Sequence, residues 1–327
     1  MAKKSYNYAQ LEAVAQEMRA NPDMVYFYEY QVPTATLPTG EVLDLVKEFG
    51  EARTSGRGWP IDETWIAGAA IGAAAAGSKA IARMPTMAPI YAIEYVQNQA
   101  GKIRSMTGGQ ASMPFVLWQD GASRTRGAAG QHTDVGVESL YAQLPGIKVV
   151  APSDAYDAKG LLIAAIRDPD PVVYLDYGEV KGGEQPDVPD EAYEVPIGKA
   201  VVRQPGRDLT IVAWSPATTD VRRALPEIAK AGISAEFIDP RTLKPLDVET
   251  LIASAKKTRR VLVVEHGHYT AGFGAHVVSE IAQFVPGVKI RRIAFPDVPG
   301  PGSAEMMTWL RPDAPKIVDA SVQLMKL

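Results

Sequence analysis

The segment Ile147-Lys-Val-Val-Ala151 is a short, mostly apolar run that predicts a buried strand. Asp154 follows it, in a position to cap a helix that we expect to run to Arg167. Val172-Val-Tyr-Leu-Asp176 predicts a second strand directly after that helix. Strand, helix and strand in this order indicate a parallel α/β arrangement.

The same alternation continues on both sides of this unit. Before it we expect helices at Tyr8–Asn21, Leu43–Phe49, Ile66–Ser78, Tyr91–Arg104 and Val137–Gln143, and strands at Met24–Tyr28 and Pro114–Trp118. Residues 178–196 are rich in glycine, proline and acids, which is typical of a connection between domains. After it we expect strands at Leu209–Ala213, Ala235–Asp239, Arg260–Glu265 and Ile290–Ala294, alternating with helices at Thr219–Ala231, Val248–Thr258 and Gly274–Phe284. The sequence thus predicts two doubly wound α/β domains, 1–178 and 197–327, joined by a linker at 179–196.

Composition narrows the class of protein. The chain has 327 residues, enough for about two domains, and a net charge of −4, which gives no reason to expect nucleic acid or an anionic membrane as a partner. No apolar run is long enough to span a bilayer, and the first residues lack the apolar segment of a signal peptide, so we expect a cytoplasmic protein. With no cysteine, disulfides, thiolate metal sites and a cysteine nucleophile are excluded.

Glu63 stands at the start of an alanine- and glycine-rich stretch that ends near Gly77. An acid beside such an apolar helix is a candidate for chemistry, because a buried carboxylate needs a proton or a hydrogen-bond donor. It is equally suited to the first turn of a helix, where Glu63 or Asp62 would cap the backbone. The residue types alone leave both interpretations open.

Several ordered motifs resemble one known family. The matching segments are Leu144–Leu162, Ala165–Val172, Met106–Gly109, Gly130–Asp134, Pro196–Lys199, Asp239–Asp247 and Val263–Glu265. Together they resemble the beta subunit of the thiamine-diphosphate-dependent 2-oxo acid dehydrogenases, a group with pyruvate, branched-chain and acetoin enzymes. The resemblance covers nearly the whole chain. It implies a transketolase-like pyrimidine-binding domain followed by a transketolase C-terminal domain.

The resemblance also implies a shared cofactor. In this family the alpha subunit holds Mg²⁺ and the diphosphate, and the beta subunit holds the aminopyrimidine of thiamine diphosphate. The Gly-Asp-Gly motif that marks the metal and diphosphate site is absent here, and Gln119-Asp-Gly-Ala122 is the nearest string. We therefore expect an oxidoreductase active only with an alpha subunit, as an α2β2 heterotetramer, with a lipoyl acyltransferase as a further partner.

Two residues align with family positions that act on cofactor and substrate. Glu63 aligns with the glutamate that bonds the pyrimidine nitrogen, favours the imino tautomer and so helps to form the ylide. A carboxyl group in a dry pocket can share a proton with such a nitrogen near neutral pH. His132 aligns with a histidine that donates a hydrogen bond or proton near the substrate. The acyl-carbanion chemistry itself then belongs to the cofactor.

Three departures from the family pattern concern the pocket. Pro89 stands where the family stacks an aromatic ring on the pyrimidine, and nearby Tyr91 or Met87 are possible substitutes. Glu29 is retained after the first strand, where it could bond Glu63 or the cofactor. In a longer loop, Arg124 and Arg126 could bind an anionic substrate or simply be solvated. These changes favour a substrate other than pyruvate: a branched 2-oxo acid, a hydroxyketone, a cyclic dione or a hydroxyquinone.

The family also carries a structural K⁺ in the beta subunit, bound mainly by main-chain carbonyl oxygens. The corresponding residues are Phe115, Ala165, Asp168 and Asp170, and the alternative interpretation of Asp-Pro-Asp-Pro is a simple turn that ends a helix. His266, His268 and His276 show no recognisable carboxylate spacing around them, so we expect surface or subunit-contact histidines and no metal site.

Two other functions remain open. One is the C-terminal subunit of a split transketolase, although Pro60-Ile-Asp-Glu-Thr64 is closer to the dehydrogenase pattern. The other is a noncatalytic scaffold that pairs with an alpha-like chain after losing the ring-stacking aromatic residue.

Overall fold

The computed structural model describes residues 3–29, 33–55, 59–85, 88–120, 135–182 and 185–327. By their contacts these residues form two compact units. The first contains the described residues of Met1–Ala122 and Tyr141–Ile197, and the second those of Ser123–Leu140 and Gly198–Leu327. Strands and helices alternate in both, which confirms the predicted α/β class.

The elements up to residue 181 begin with a long helix and end with a short 3₁₀ turn. In chain order they are α1 (Tyr6–Ala20), β1 (Val25–Tyr28), β2 (Thr34–Thr36), β3 (Val42–Asp44), α2 (Leu45–Phe49), α3 (Glu63–Ala75), β4 (Ala80–Pro85), a 3₁₀ turn (Ala88–Ala92), a π-helix (Tyr95–Ala100), α4 (Ile103–Met106), β5 (Phe115–Asp120), α5 (Glu138–Ala142), β6 (Lys148–Val150), α6 (Ala155–Arg167), β7 (Val172–Asp176) and a 3₁₀ turn (Gly178–Lys181).

The main sheet of the first unit is parallel. Its strands follow the spatial order β1, β4, β5, β7, β6. The predicted strand–helix–strand segment is confirmed: β6 pairs with β7 in parallel, and the Asp154 side chain caps α6 by accepting a hydrogen bond from the Asp157 N–H at 2.9 Å. The carboxyl ends of these strands therefore lie along one edge, where α/β folds bind their ligands.

Helices cover both faces of this sheet. On one face α1 and α6 pack against Tyr26, Trp118 and Tyr174, whose side chains are fully buried. The Trp118 ring meets the rings of Tyr26 and Tyr174 edge to face, with centroids 6.3 and 5.5 Å apart, so the face is a continuous aromatic layer. On the other face α3 packs against β1, β4 and β5. A sheet covered in this way is doubly wound.

The second unit is built on the same principle. Its elements are β8 (Val201–Gln204), β9 (Leu209–Ala213), α7 (Pro216–Lys230), β10 (Ala235–Asp239), β11 (Thr242–Lys244), α8 (Val248–Thr258), β12 (Arg260–His268), α9 (Phe273–Phe284), β13 (Lys289–Phe295), α10 (Ala304–Leu310) and α11 (Ala314–Met325). The sheet order is β13, β12, β9, β10, β8, and only the pairing of β8 with β10 is antiparallel. Helices α7 and α11 share one apolar core with this sheet.

The segment 185–197, which includes most of the predicted linker 179–196, packs on the first unit. The ammonium group of Lys159, on α6, is fully buried and donates to Glu12 at 2.8 Å. It also donates to the carbonyl oxygens of Pro189 at 2.6 Å and Asp190 at 3.2 Å. One buried charge thus ties this segment to both α1 and α6.

Gly160 makes room for the same segment. The Val195 N–H donates to the Gly160 carbonyl at 3.1 Å. A β-carbon on Gly160 would lie 2.5 Å from the Val195 side chain and 2.8 Å from the Tyr193 ring, which is closer than any real contact. Only glycine allows α6 to lie this close to the chain that crosses it.

Several elements differ from the prediction. The short strands β2, β3, β8 and β11 are absent from it, and two differences affect the main sheet and its surroundings. Strand β4, which lies between β1 and β5, was not predicted, and the expected helix Tyr91–Arg104 is a 3₁₀ turn, a π-helix and a short α-helix in succession. A run of Ala, Arg and Met does not have strand composition, so its burial comes from its position in the sheet. Among the described residues, none of the helices combines the length and apolar character that a bilayer crossing requires.

We predict that Lys159→Met destabilises the first unit by about 2 kcal/mol, because it removes a buried cation from Glu12, which keeps only its pair with Lys4, and takes one donor from each of the Pro189 and Asp190 carbonyl oxygens. Urea unfolding measures this loss. Lys230→Met, which removes an exposed pair with Glu227, is the control and should change stability by less than about 0.5 kcal/mol. Equal effects of the two variants would contradict the structural role of Lys159.

Candidate active site

The two adjacent acids at the start of α3, Asp62 and Glu63, have different structural roles. Asp62 is the cap: its carboxylate accepts hydrogen bonds from the N–H groups of Thr64 and Trp65, each at 3.0 Å. Glu63 is the first helical residue and is half-buried. The cap is therefore supplied by Asp62, and the Glu63 carboxyl group is not needed for it.

Small residues bring α3 close to its neighbours. Ala67 and Ala70 are fully buried, and a β-carbon on Gly68 would lie 3.3 Å from the Tyr95 ring. Larger side chains at these positions would lift the helix from the sheet. The alanine- and glycine-rich composition thus places Glu63 beside the carboxyl ends of β1 and β4.

Glu29 directly follows β1 and is 5% exposed. Its backbone N–H donates to the Arg83 carbonyl at 3.2 Å, which extends the β1–β4 pairing by one residue. Within the part of the chain that the structure describes, both carboxylate oxygens of Glu29 are buried and lack a hydrogen-bond partner. A buried carboxyl group without donors holds its proton more tightly than one in water.

The two glutamates influence each other. Burial raises the pKa of Glu29 to about 7, and the nearby Glu63 carboxylate adds to this shift. Two like charges close to each other are unfavourable, so Glu29 is protonated for part of the time near neutral pH. The structure shows an electrostatic interaction between Glu29 and Glu63 but no hydrogen bond from the Glu29 carboxyl group, so the prediction that Glu29 bonds Glu63 or the cofactor stays a prediction.

A set of opposite charges lies along the same edge of the sheet. Arg83, on β4, is buried and donates to the Tyr26 hydroxyl at 3.1 Å and to Asp120 at 2.5 Å. Its guanidinium carbon lies 4.3 Å from the centre of the Trp118 ring. Burial opposes the charge on Asp120, yet Arg83 and Lys181 outweigh burial and hold the pKa of Asp120 below its ordinary value.

Lys181 continues this set toward β7. Its ammonium lies 2.8 Å from Asp120 and 2.9 Å from Asp176, which is fully buried and accepts from the Trp118 indole N–H at 3.2 Å. Burial raises the pKa of Asp176 although Lys181 opposes it. We call Arg83, Asp120, Lys181 and Asp176 the buried charge cluster. Its side chains did not enter the sequence prediction, because β4 was missed and the partners are distant in sequence.

The predicted pyrimidine contacts fall beside this edge. Tyr91, in the 3₁₀ turn Ala88–Ala92, is 63% exposed, so its ring is not part of the core. The side chain of Pro89 is outside the described residues, and so is Met87. The prediction that Pro89 or Tyr91 contacts the pyrimidine stays a prediction.

Three predicted substrate residues lie outside the described residues. These are Arg124, Arg126 and His132, all within 121–134. Their assignment to the substrate therefore also stays a prediction.

The proposed K⁺ residues lie near the amino-terminal ends of β5 and β7, at the opposite edge of the sheet from Glu29. Phe115 begins β5, Ala165 is in the last turn of α6, and Asp168 caps the end of α6. The Asp168 carboxylate binds the Lys148 ammonium at 2.6 Å, and Asp170 pairs with Arg104. Because these side chains already have cationic partners, a K⁺ here would depend on main-chain oxygens.

The three described histidines of the second unit, His266, His268 and His276, have separate surroundings. His266 is buried, with Nε2 3.1 Å from Asp220, so the expected surface position is wrong for this residue. His268 lies 3.1 Å from the Pro296 carbonyl, and His276 is exposed. Among the described residues, no three histidine, aspartate or glutamate side chains are arranged to hold a metal ion.

Comparison with known proteins assigns the chain to a family. Residues 3–175 match the transketolase pyrimidine-binding domain, and residues 198–317 match the transketolase C-terminal domain. The pyruvate dehydrogenase E1 component subunit beta of Bacillus subtilis is 38% identical over 274 residues, which are 81% of this chain and 82% of that protein. The chain belongs to the family of E1 beta subunits of thiamine-diphosphate-dependent 2-oxo acid dehydrogenases.

Other relatives of this E1 beta chain extend the match. The subunit of the same name from Rhizobium meliloti is 36% identical over 325 residues, covering 98% of this chain and 69% of that protein. The mitochondrial subunit from Drosophila melanogaster is 37% identical over 289 residues, covering 86% and 78%. The predicted family is thus confirmed over nearly the whole chain.

A solved structure confirms the fold. A split-gene transketolase, described as an inactive beta4 tetramer, covers 99% of this chain and 99% of its own with a TM-score of 0.81. Its sequence is only 21% identical, so it supports the transketolase-like architecture and not a shared reaction.

We predict that Glu29 makes the folded E1 beta chain less stable as the pH rises. Its folded pKa of about 7 lies above that of an unfolded carboxyl group, so between these values the folded state binds the extra proton and stability falls with rising pH. Between about pH 5 and about pH 8, the free energy of unfolding of the wild type should fall by up to about 3 kcal/mol more than that of Glu29→Gln.

Urea unfolding across this range measures the difference. Glu51→Gln, an exposed carboxyl group of the same unit, is the control and should follow the wild type. Parallel curves for the wild type and Glu29→Gln would contradict the raised pKa.

Proposed function

We propose that this chain is the beta subunit of a heteromeric thiamine-diphosphate-dependent dehydrogenase. Its substrate would be a 2-oxo acid or a related hydroxyketone, dione or hydroxyquinone. The observation that supports this function best is the electrostatic interaction of Glu29, at the carboxyl end of β1, with Glu63, at the start of α3, inside the pyrimidine-binding domain. Family membership supplies the reaction class, and the pair supplies the acid–base group that this reaction needs.

The residues present fit the aminopyrimidine of thiamine diphosphate. Both Glu29 oxygens are buried without a donor, and Glu63 is free of the capping role that Asp62 fills. A pyrimidine with an exocyclic amine and a ring nitrogen offers such groups hydrogen-bond partners. When bound, the coenzyme supplies the nucleophilic carbon that attacks the carbonyl group of the substrate.

In this proposal the chain holds and positions a proton. Glu63 shares a proton with the pyrimidine ring nitrogen, and its place at the first turn of α3 fixes the direction of that contact. Glu29, protonated for part of the time near neutral pH, lowers the repulsion that a second carboxylate would cause. Helix α3, which packs against β1 and β4, would limit the water that competes for the same hydrogen bonds.

The remaining assignments follow from the resemblance. His132 would donate a hydrogen bond or proton to a substrate oxygen, and Arg124 and Arg126 would bind an anionic group of the substrate. Pro89 and Tyr91 would contact the pyrimidine. A K⁺ held by main-chain oxygens would stabilise the turn after α6.

The absence of the metal and diphosphate motif indicates that an alpha subunit is needed. No Gly-Asp-Gly motif is present, so we propose that an alpha subunit holds Mg²⁺ and the diphosphate in an α2β2 heterotetramer. A lipoyl acyltransferase would receive the product of such a complex.

We predict that the chain binds thiamine diphosphate tightly only in a mixture with its alpha subunit, which carries the missing motif. Isothermal calorimetry on each chain and on the mixture, in Mg²⁺, measures this. Tight binding by this chain alone would contradict the shared site. Binding by the mixture without turnover of any oxo acid, hydroxyketone or hydroxyquinone would favour the scaffold, and transfer of a two-carbon unit between sugars would favour a split transketolase.

We also predict that Glu63→Gln lowers turnover of the reconstituted enzyme by at least about 100-fold, because the proton that Glu63 shares with the pyrimidine is lost. Exchange of the thiazolium proton of the bound coenzyme with deuterium should slow as well. Asp62→Asn is the matched control, since asparagine also caps a helix and the substitution lies one residue away. Normal proton exchange in Glu63→Gln, or an equal loss in Asp62→Asn, would refute the role of Glu63.

A further inference from the structure

Glu265, near the end of β12, is a fully buried acid in the second unit. Its Oε2 accepts a hydrogen bond at 2.9 Å from the N–H of Gly274, in the first turn of α9. Its Oε1 has no hydrogen-bond partner among the described residues, and the Arg292 guanidinium lies 3.4 Å from it. One backbone donor and one distant cation are thus the partners of this carboxyl group.

Three glycines make room for it. A β-carbon on Gly274 would collide with Oε1 of Glu265, and one on Gly272 would lie 2.9 Å from Oε2. A β-carbon on Gly267 would lie 3.2 Å from Oε2 of Glu265 and 3.1 Å from Oε1 of Glu138. The two carboxyl groups therefore flank Gly267, and Glu138 is also buried, with 3% of its surface exposed.

Glu138 is part of the segment 135–140, which belongs to the second unit. Val135, at the start of this segment, shares a small apolar core with Phe295 and Met307. The indole N–H of Trp214, directly after β9, donates to Glu138 at 3.4 Å. An apolar contact and a polar one thus hold the segment at its two ends.

The middle of the segment touches the backbone beside Glu265. Gly136 has a φ of +82°, and a β-carbon there would lie 3.1 Å from the Gly267 α-carbon and 3.2 Å from the His268 nitrogen. Both the dihedral angle and the close approach require glycine. The segment therefore packs on the same glycine that separates the two acids.

The surroundings of Glu265 favour its protonated form. Burial raises its pKa to about 8 against the backbone hydrogen bond and Arg292, and the Glu138 carboxyl group adds to the rise. The adjacent His266 contacts Asp220 on α7 instead. At neutral pH Glu265 is thus mostly protonated in the folded chain, whereas a glutamate in water is ionised.

We propose that a proton on Glu265 holds the segment 135–140 on the second unit, and that loss of this proton releases the segment. With the proton in place, the two acids lie on either side of Gly267 without two adjacent negative charges. Without it, Glu265 is a buried anion beside Glu138, and release of the segment lets water reach both groups. This device goes beyond the proposed function, since it needs neither cofactor nor substrate.

Hydrogen–deuterium exchange of the full chain, followed by mass spectrometry from about pH 5.5 to about pH 9, measures the release. The protection factor compares the exchange of residues 135–140 and 266–272 with that of an unstructured chain at the same pH. We expect it to fall by at least about tenfold between about pH 6 and about pH 8, because the docked segment then binds one proton more than the released one. Above the pKa of Glu265, about 8, neither state holds this proton and the protection factor should level off.

Two variants locate the effect. Glu265→Gln keeps an oxygen for the Gly274 N–H but cannot ionise, so its protection factor should not depend on pH. Glu138→Gln keeps an acceptor for Trp214 and removes the repulsion, so the levelling should begin about half a pH unit lower or more. Glu227→Gln, which changes an exposed carboxyl group on α7, is the control and should follow the wild type.

A fall that levels off near pH 8 and disappears in Glu265→Gln would support the proposal. A wild-type protection factor that does not change with pH, or a fall that persists in Glu265→Gln, would overturn it. If Glu265→Gln does not fold, an unshifted profile in Glu138→Gln would overturn it as well. The exchange is measured without coenzyme, so its outcome is independent of turnover in Glu63→Gln and of the proposed function.

Discussion

A carboxyl group that leaves water must find a proton, a donor or a cation, and the arrangement of the first unit follows from how it meets this requirement. Asp120 and Asp176 are matched by Arg83 and Lys181. Glu29, which directly follows β1 of the same sheet, has no such match among the described residues, and burial raises its pKa to about 7. Among the described residues of the first unit, Asp120 and Asp176 are thus neutralised by the protein's own cations, and Glu29 is left to a proton or a ligand.

Local patterns were enough to predict most of the fold. The strands Leu209–Ala213 and Ala235–Asp239 and the helix Val248–Thr258 have the predicted bounds, because their apolar runs and end signals are continuous in sequence. The strand–helix–strand segment around α6, with Asp154 as its cap, was predictable for the same reason. Resemblance then supplied the family, which the matched domains and relatives confirm.

What the sequence did not reveal depends on contacts between distant residues. Strand β4 has the composition of neither a typical strand nor a helix, and it is extended because β1 and β5 bond it on both sides. Missing β4 meant missing Arg83, whose partners Tyr26 and Asp120 are 57 and 37 residues away. The segment 185–197 has a linker's composition, but the buried ammonium of Lys159 holds it in place. Propensity carries no information on such long-range pairs.

The division of work between Asp62 and Glu63 has a consequence for how this protein can change. One acid supports the backbone of α3 and the next is free of that duty. Evolution can therefore replace the second without melting the helix, and a lineage could retain an intact, assembled subunit while its chemistry disappears. Catalytically active and inactive members of such a family would share one fold and differ at a single residue.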